Sequence, residues 1–143
     1  MPTVNRSALV PFSAENMFDL VNDVASYPAF LPGCVDSKVL EASETHMNAS
    51  LLIKKAGVNQ WFTTSNELLR GKYIKMSLVD GPFKSLQGGW TFTSLAEDAC
   101  KIELSLDFEF SSKLVEMAFG KVFSAIANNM VKAFTDRAKD VCH

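Results

Sequence analysis

Apolar residues recur at helical spacing in the last quarter of the chain. In residues 111–143 they return at intervals of three or four positions, which predicts one long helix with a single apolar face. That face comprises Phe119, Phe123, Ile126, Met130, Phe134, Ala138 and Val141. Ser111 or Ser112 is expected to cap its start. Thirty helical residues extend about 45 Å, so a long apolar surface must cover this helix.

The N-terminal segment combines one strand with two short helices. Residues Thr3–Val10 alternate between apolar and polar side chains and lie between prolines, as expected for a strand. Ser13 precedes a helical apolar pattern over residues 13–24 and is expected to be its N-cap. Ser26 is expected to cap a second helical turn that Pro32 ends.

Residues 35–110 change to a period of two and predict about six strands. The clearest alternation covers residues 101–110, where Ile102 and Leu104 alternate with Glu103 and Ser105. Turn-forming residues recur near 42–45, 56–59, 70–72, 80–85 and 97–99, spacings that join antiparallel neighbours. The glycine pair at 88–89 permits a bend. With no βαβ repeat, the pattern predicts an α+β fold: one curved antiparallel sheet covering the long helix.

Composition limits the class of protein. The 143 residues fit one domain over 1–143. The net charge of −2 argues against DNA binding and against broad binding to nucleic acid or anionic membranes, which need a concentrated positive field. Cys34, Cys100 and Cys142 form no C-x-x-C pair and are odd in number, which favours reduced cytoplasmic thiols over disulfides or zinc. Neither a secretory signal nor a membrane-spanning segment is recognisable.

Few residues offer catalytic chemistry. The histidines are His46 and the last residue, His143, so a Ser/His or Cys/His site would depend on His46, for which a surface role is the more frequent one. The sequence lacks G-x-S-x-G, a phosphate-binding glycine loop and H-E-x-x-H. We therefore expect no catalytic residues and no metal ligands.

Two segments carry a family resemblance. DLVNDVASYPAFLPGC at 19–34 and LVDGPFKSLQGGWTF at 78–92, together with KAFTDRA at 132–138, resemble the coenzyme Q-binding branch of the START-like, polyketide cyclase superfamily. The resemblance covers essentially the whole chain. It implies a helix-grip fold, in which a seven-stranded curved antiparallel sheet wraps the long C-terminal helix and encloses an apolar tunnel.

The resemblance implies more than one function. Some members bind ubiquinone and support respiratory electron transport without catalysis, whereas a bacterial member, a ribosome association toxin, binds the large ribosomal subunit and blocks subunit association. Fold does not decide between them. The eleven phenylalanines favour an apolar tunnel for ubiquinone or a related polyprenyl quinone, and a ribosome binder would gain from positive charge that this chain lacks. A polyketide cyclase-like enzyme is the third alternative.

Ten residues are expected to line the tunnel or its mouth, although each is also compatible with plain core packing. They are Tyr27, Phe30, Leu31, Phe83, Leu86, Trp90, Phe92, Phe123, Met130 and Phe134. Gly81 and Pro82 are expected to present Phe83 outward at a mouth that faces Phe30 and Leu31. Such a mouth would accept lipid through transient membrane contact, which implies a cytoplasmic protein, peripheral at the inner membrane, that holds ubiquinone as a ligand and needs no cofactor.

Overall fold

Seven strands, two α-helices and one 3₁₀ helix build the fold in a computed structural model, which describes residues 3–141. The elements are β1 (Thr3–Val10), α1 (Ala14–Asn22), a 3₁₀ helix (Val24–Ala29), β2 (Cys34–Ala42), β3 (His46–Lys55), β4 (Val58–Leu69), β5 (Tyr73–Asp80), β6 (Phe83–Ala96), β7 (Ala99–Phe110) and α2 (Lys113–Val141). The predicted order of strand, two short helices, six strands and a long helix is confirmed. The expectations for Cys142 and His143 lie outside the described residues.

The seven strands form one antiparallel sheet in the order β1-β7-β6-β5-β4-β3-β2. Strands adjacent in sequence pair through short turns, except that β1 closes onto β7, with Thr3 opposite Asp107. The sheet bends at the glycine pair of β6, where φ is +131° at Gly88 and +150° at Gly89. A Cβ on Gly89 would lie 1.9 Å from the carbonyl oxygen of Ile74, so only glycine fits this bend.

The two short helices contact different strands of the sheet: α1 packs against β5, β6 and β7, and the 3₁₀ helix packs against β2. Ser13 caps α1 as predicted, its hydroxyl accepting from the Asn16 amide at 3.1 Å. The expected capping role of Ser26 is wrong, because Asp23 occupies the N-cap of the 3₁₀ helix. The Ser26 hydroxyl instead donates to the Asp23 carboxylate at 2.6 Å, an interaction that ties the first turn of the helix to its own start.

Helix α2 packs on the apolar face of the sheet. Ser112 caps it, accepting from the Val115 amide at 3.1 Å. The predicted contact between helix and sheet is confirmed, and on β7 it is made by ring pairs: Phe123 lies 4.9 Å from Phe108, and Phe119 lies 6.0 Å from Phe110.

The predicted apolar face of α2 holds over most of its length. The buried residues are Phe119, Gly120, Phe123, Ile126, Ala127, Val131, Phe134 and Ala138, while Met130 is partly buried. Val141 was expected on this face, yet it is 47% exposed. Ala138, three residues earlier, is fully buried, so the covered part of this face ends between Ala138 and Val141.

Candidate functional site

A cavity of about 70 Å³ lies between the sheet, α2 and the segment that follows α1. Its lining combines inward-facing residues of five strands with one face of α2. The lining residues are Val24, Tyr27, Leu31, Ala49, Leu51, Ile53, Phe62, Thr64, Asn66, Met76, Leu86, Trp90, Leu106, Phe123, Ile126, Ala127 and Met130. The predicted apolar space between helix and sheet is therefore present, but it is smaller than the roughly 300–1,000 Å³ typical of ligand pockets.

Period-two alternation brings the wall together. On β4 the inward positions are Phe62, Thr64 and Asn66, and on β3 Ala49 lies opposite Thr64 in the register. On α2, Phe123, Ile126 and Met130 recur at three and four residues and so face the same space. The period of two on the strands and the spacing of three to four residues on α2 thus determine which side chains line the cavity.

Six of the ten residues expected at the tunnel line this cavity. They are Tyr27, Leu31, Leu86, Trp90, Phe123 and Met130. Trp90 is 1% exposed. Their contact with a ligand stays a prediction, and the structure brings all six to one space.

Three others lie behind or beside the cavity. Phe134 is fully buried and packs edge-on against Tyr27 and Trp90, at ring distances of 5.2 and 5.3 Å. Phe92 stacks on Trp90 at 6.4 Å on the side covered by α1. Phe30 is half-buried against Phe134, with the Arg137 guanidinium 5.1 Å from its ring. These rings support the cavity wall without being part of it.

The expectation that Phe83 points outward is wrong. Phe83 is 6% exposed and its ring packs 4.8 Å from that of Phe123. Phe30, the partner expected across the mouth, contacts Phe134 instead, eleven residues further along α2. Eleven helical residues correspond to about 16 Å, so the two segments do not face each other across one opening.

Tyr27 has no free hydrogen-bond donor for a ligand. Its hydroxyl donates to the carbonyl oxygen of Val21 inside the core. Burial raises the pKa of this hydroxyl well above its usual range, with smaller contributions from nearby Cys34 and Asp23. Tyr27 therefore offers a ligand its ring and no hydrogen-bond donor.

Sequence reasoning missed the polar part of the lining. Thr64 and Asn66 are 7% and 6% exposed, and the Thr64 hydroxyl donates to the Asn66 side-chain oxygen at 2.9 Å. The signal was present in the sequence, because Phe62, Thr64, Asn66 and Leu68 occupy alternate positions of one strand. Two polar residues at inward positions between two apolar ones mark a site that packing alone does not require.

The cavity is equipped for binding more than for acid–base chemistry. Apart from the Tyr27 hydroxyl, its lining has no ionisable group. Within residues 3–141 no three metal-ligating side chains cluster. His46 lies outside the lining, half-buried at the start of β3, where its ring nitrogen is 3.0 Å from the Ser65 hydroxyl.

Charges on the described surface are mixed. Four ion pairs join Arg70 to Asp19, Lys75 to Glu67, Lys101 to Glu103 and Lys132 to Asp136. Lys84 and Lys113 share a depression at the start of α2 with Glu109 and Glu116. No helix among the described residues is long and apolar enough to cross a bilayer.

Comparison with known proteins gives consistent matches. The family described as polyketide cyclase / dehydrase and lipid transport matches residues 10–135. The "Ribosome association toxin RatA" of Vibrio cholerae serotype O1 is 65% identical over 141 residues, 99% of this chain and 98% of the toxin. The "Coenzyme Q-binding protein COQ10 homolog B, mitochondrial" of Xenopus laevis is 29% identical over 94% of this chain and 57% of that protein.

A solved structure extends the likeness to the fold. The ZhuI aromatase/cyclase of Streptomyces sp. R1128 superposes with a TM-score of 0.84 over 96% of this chain and 93% of that one, at 16% identity. The helix-grip arrangement predicted from the sequence is therefore confirmed.

Proposed function

The chain belongs to the polyketide cyclase / dehydrase and lipid transport family, and within that family we propose that it acts as a ribosome association toxin, binding the large ribosomal subunit in the cytoplasm and blocking subunit association. The observation that carries this proposal is the 65% identity to a toxin of that name over nearly all of both chains. This alternative takes precedence over the quinone function that the composition favoured.

The comparison of the two relatives explains the choice. The toxin matches along 98% of its own length, whereas the coenzyme Q-binding relative matches along 57% of its length at 29% identity. Similarity over the whole chain supports a shared surface as well as a shared fold, and ribosome binding depends on the surface. The low net charge remains compatible with binding, because contact through a small area needs only local positive charge.

Sedimentation tests the ribosome proposal. We expect purified protein mixed with separated subunits to migrate with the large subunit and not with the small one, which serves as the matched control. Added before the subunits are joined by Mg²⁺, the protein should reduce the peak of joined ribosomes. Protein that stays at the top of the gradient, with subunit joining unchanged at saturating concentration, would contradict the proposal.

We also propose that the cavity binds an apolar ligand, with a polyprenyl quinone as the first candidate. The supporting observation is a lining that is apolar except for the Tyr27 hydroxyl, the Trp90 indole N–H and the side chains of Thr64 and Asn66. Because the empty cavity measures about 70 Å³, binding requires it to widen. Met76 and Met130 in the wall have flexible side chains suited to such rearrangement.

Extraction and thermal melting test the ligand proposal. Organic extracts of protein purified from its native cytoplasm should contain a quinone by mass spectrometry, and added quinone should raise the melting temperature, since a ligand that binds only the folded state stabilises it. Empty extracts together with an unchanged melting curve would reject ligand binding while leaving the ribosome proposal standing.

We propose no catalytic step for either role. The aromatase/cyclase similarity is at 16% identity and concerns the fold. The cavity lining offers no carboxylate, histidine or cysteine to serve as general acid, general base or nucleophile. When the protein is incubated with a poly-β-ketone thioester, the thioester should therefore cyclise no faster than it does without the protein.

A further inference from the structure

Two polar side chains project from β4 into an otherwise apolar cavity wall. Thr64 and Asn66 occupy consecutive inward positions of the strand and are both buried. Their register partners on β3 are Ala49 and Met47, and those on β5 are Leu78 and Met76. The pair is thus surrounded by side chains that offer neither donors nor acceptors of any strength.

Counting hydrogen bonds within this pair leaves one group without a partner. The Thr64 hydroxyl donates to the Asn66 side-chain oxygen at 2.9 Å, and the amide oxygen is turned toward Thr64. The NH₂ group of Asn66 carries two donors and makes no hydrogen bond to any residue in the range 3–141. It is not among the fully enclosed unpaired atoms, so it has access to the cavity space.

Stability of the fold does not account for this pair. Valine and leucine have nearly the same shapes as threonine and asparagine and would fill the wall without a desolvated amide. Leu68, the next inward position of the same strand, is buried and apolar, so β4 tolerates such a residue. The cavity is large enough to hold water beside the amide when it is empty.

We propose that Asn66, held in orientation by Thr64, donates a hydrogen bond to an oxygen acceptor on the cavity ligand. This inference rests on the proposed ligand binding and narrows the class of ligand to an apolar molecule with a carbonyl or similar acceptor on its buried portion. Tyr27 does not fill this role, because its hydroxyl donates to Val21. The indole N–H of Trp90 is a second donor in the lining, and Asn66→Leu leaves it in place, so that variant isolates the contribution of Asn66. A pure hydrocarbon chain would leave the amide unpaired and is disfavoured.

A matched pair of probes tests the assignment. Decyl-1,4-benzoquinone and decylbenzene differ in the two carbonyl groups and share the chain, and calorimetry gives the dissociation constant of each. The wild type should prefer the quinone. In Asn66→Leu this preference should fall roughly tenfold, the upper range for one neutral hydrogen bond, while binding of decylbenzene is kept. Thr64→Val frees the amide to rotate and should lose part of the preference.

Each outcome is decisive. If Asn66→Leu keeps the wild-type preference, or the wild type binds both probes equally, the assignment is overturned while ligand binding stands. If the wild type binds neither probe, the ligand proposal fails and the assignment fails with it. A purely structural role would change stability and both affinities together, leaving their ratio constant. Should Asn66→Leu fail to fold, Asn66→Ala, which adds no bulk, provides the same ratio.

Discussion

Phe83 is held by five other aromatic rings at distances of 4.8 to 6.4 Å, from Phe62, Phe108, Phe110, Phe119 and Phe123. Phe83→Ser should therefore cost about 3–5 kcal/mol of unfolding free energy, the range for truncating a core phenylalanine. Leu95→Ser is the matched control on the same strand, because Leu95 is 57% exposed and should change stability little. Urea denaturation measures both free energies of unfolding. A loss for Phe83→Ser of less than about 1 kcal/mol would support the original expectation that Phe83 lies exposed at the mouth.

The sequence could not place Phe83 because a bulge reverses its direction. Phe83 and Leu86 are three residues apart, so strict alternation puts them on opposite faces, yet both are buried. The register shifts between Phe83, opposite Phe110, and Ser85, opposite Glu109. One extra residue moves Phe83 to the inner face. By contrast Trp90 and Leu86 follow simple alternation, and their place in the cavity wall was predictable.

The buried Cys34 thiol and Tyr27 hydroxyl make the free energy of unfolding fall as the pH rises into the alkaline range. Burial raises the pKa of the Cys34 thiol to about 11 and moves that of the Tyr27 hydroxyl upward. The unfolded chain releases these protons from about pH 9, whereas the folded chain keeps them. Their contribution is therefore complete below pH 9 and falls above it, by up to about 1.4 kcal/mol per pH unit for each retained proton.

Urea titrations at pH 7, 8, 9, 10 and 10.5 measure this dependence. The double variant Cys34→Ala, Tyr27→Phe is less stable at pH 7, because it loses the hydrogen bond to Val21, but its stability should decline less above pH 9. Parallel curves for the variant and the wild type would show that these groups do not control the decline.

At the scale of elements, α2 depends on its inward face. Phe123→Asp places an unpaired charge among Phe83, Phe108 and Phe62 and should unfold the domain. Leu114→Asp on the same helix is the control, since Leu114 is 77% exposed. Circular dichroism during heating should show no cooperative transition for the first and a nearly unchanged one for the second. A Phe123→Asp melting temperature within two degrees of the wild type, on the scale of single surface changes, would contradict the packing.

The bend of β6 depends on glycine. In Gly89→Ala the new methyl group would meet the Ile74 carbonyl oxygen, and the strand would also hold a non-glycine residue at φ +150°. We expect this variant to be insoluble or to lose several kcal/mol, about 3 or more. Gly57→Ala is the control, because a Cβ there meets nothing within 4 Å and only its φ of +85° is strained. A Gly89→Ala protein with wild-type stability would mean that the sheet can flatten there.

Helices and strands were predictable from the sequence because their periods are strong. The bounds of β1 and the caps Ser13 and Ser112 follow from local rules of alternation and capping. The prediction for Val141 was wrong because periodicity shows which face of a helix is apolar but does not show how far along the helix that face is covered.

For the molecule as a whole, the curved sheet and the enclosed helix were predictable, whereas the size and polarity of the cavity were not. The volume of a cavity is a small difference between the space enclosed by the backbone and the volume of the side chains that fill it. That Thr64 and Asn66 line a cavity becomes evident only when β4 is packed beside β3 and β5 and beneath α2. Function was open for a related reason: ribosome and lipid binding are properties of surfaces and interiors that one fold can carry together.

The pairing of the first strand with the last sets an order of events during synthesis. Thr3 and Asp107 meet across 104 residues, so at about 5–20 residues per second β1 waits roughly 5–20 s for its partner to be translated. Until then its apolar residues, and the face of the sheet that α2 will cover, are open to chaperones and proteases. Nascent chains stalled after residue 98 should be degraded rapidly by added protease, and chains stalled beyond the full sequence plus a linker should be resistant. The fold can therefore be completed only after residues 99–141, which form β7 and α2, have been translated.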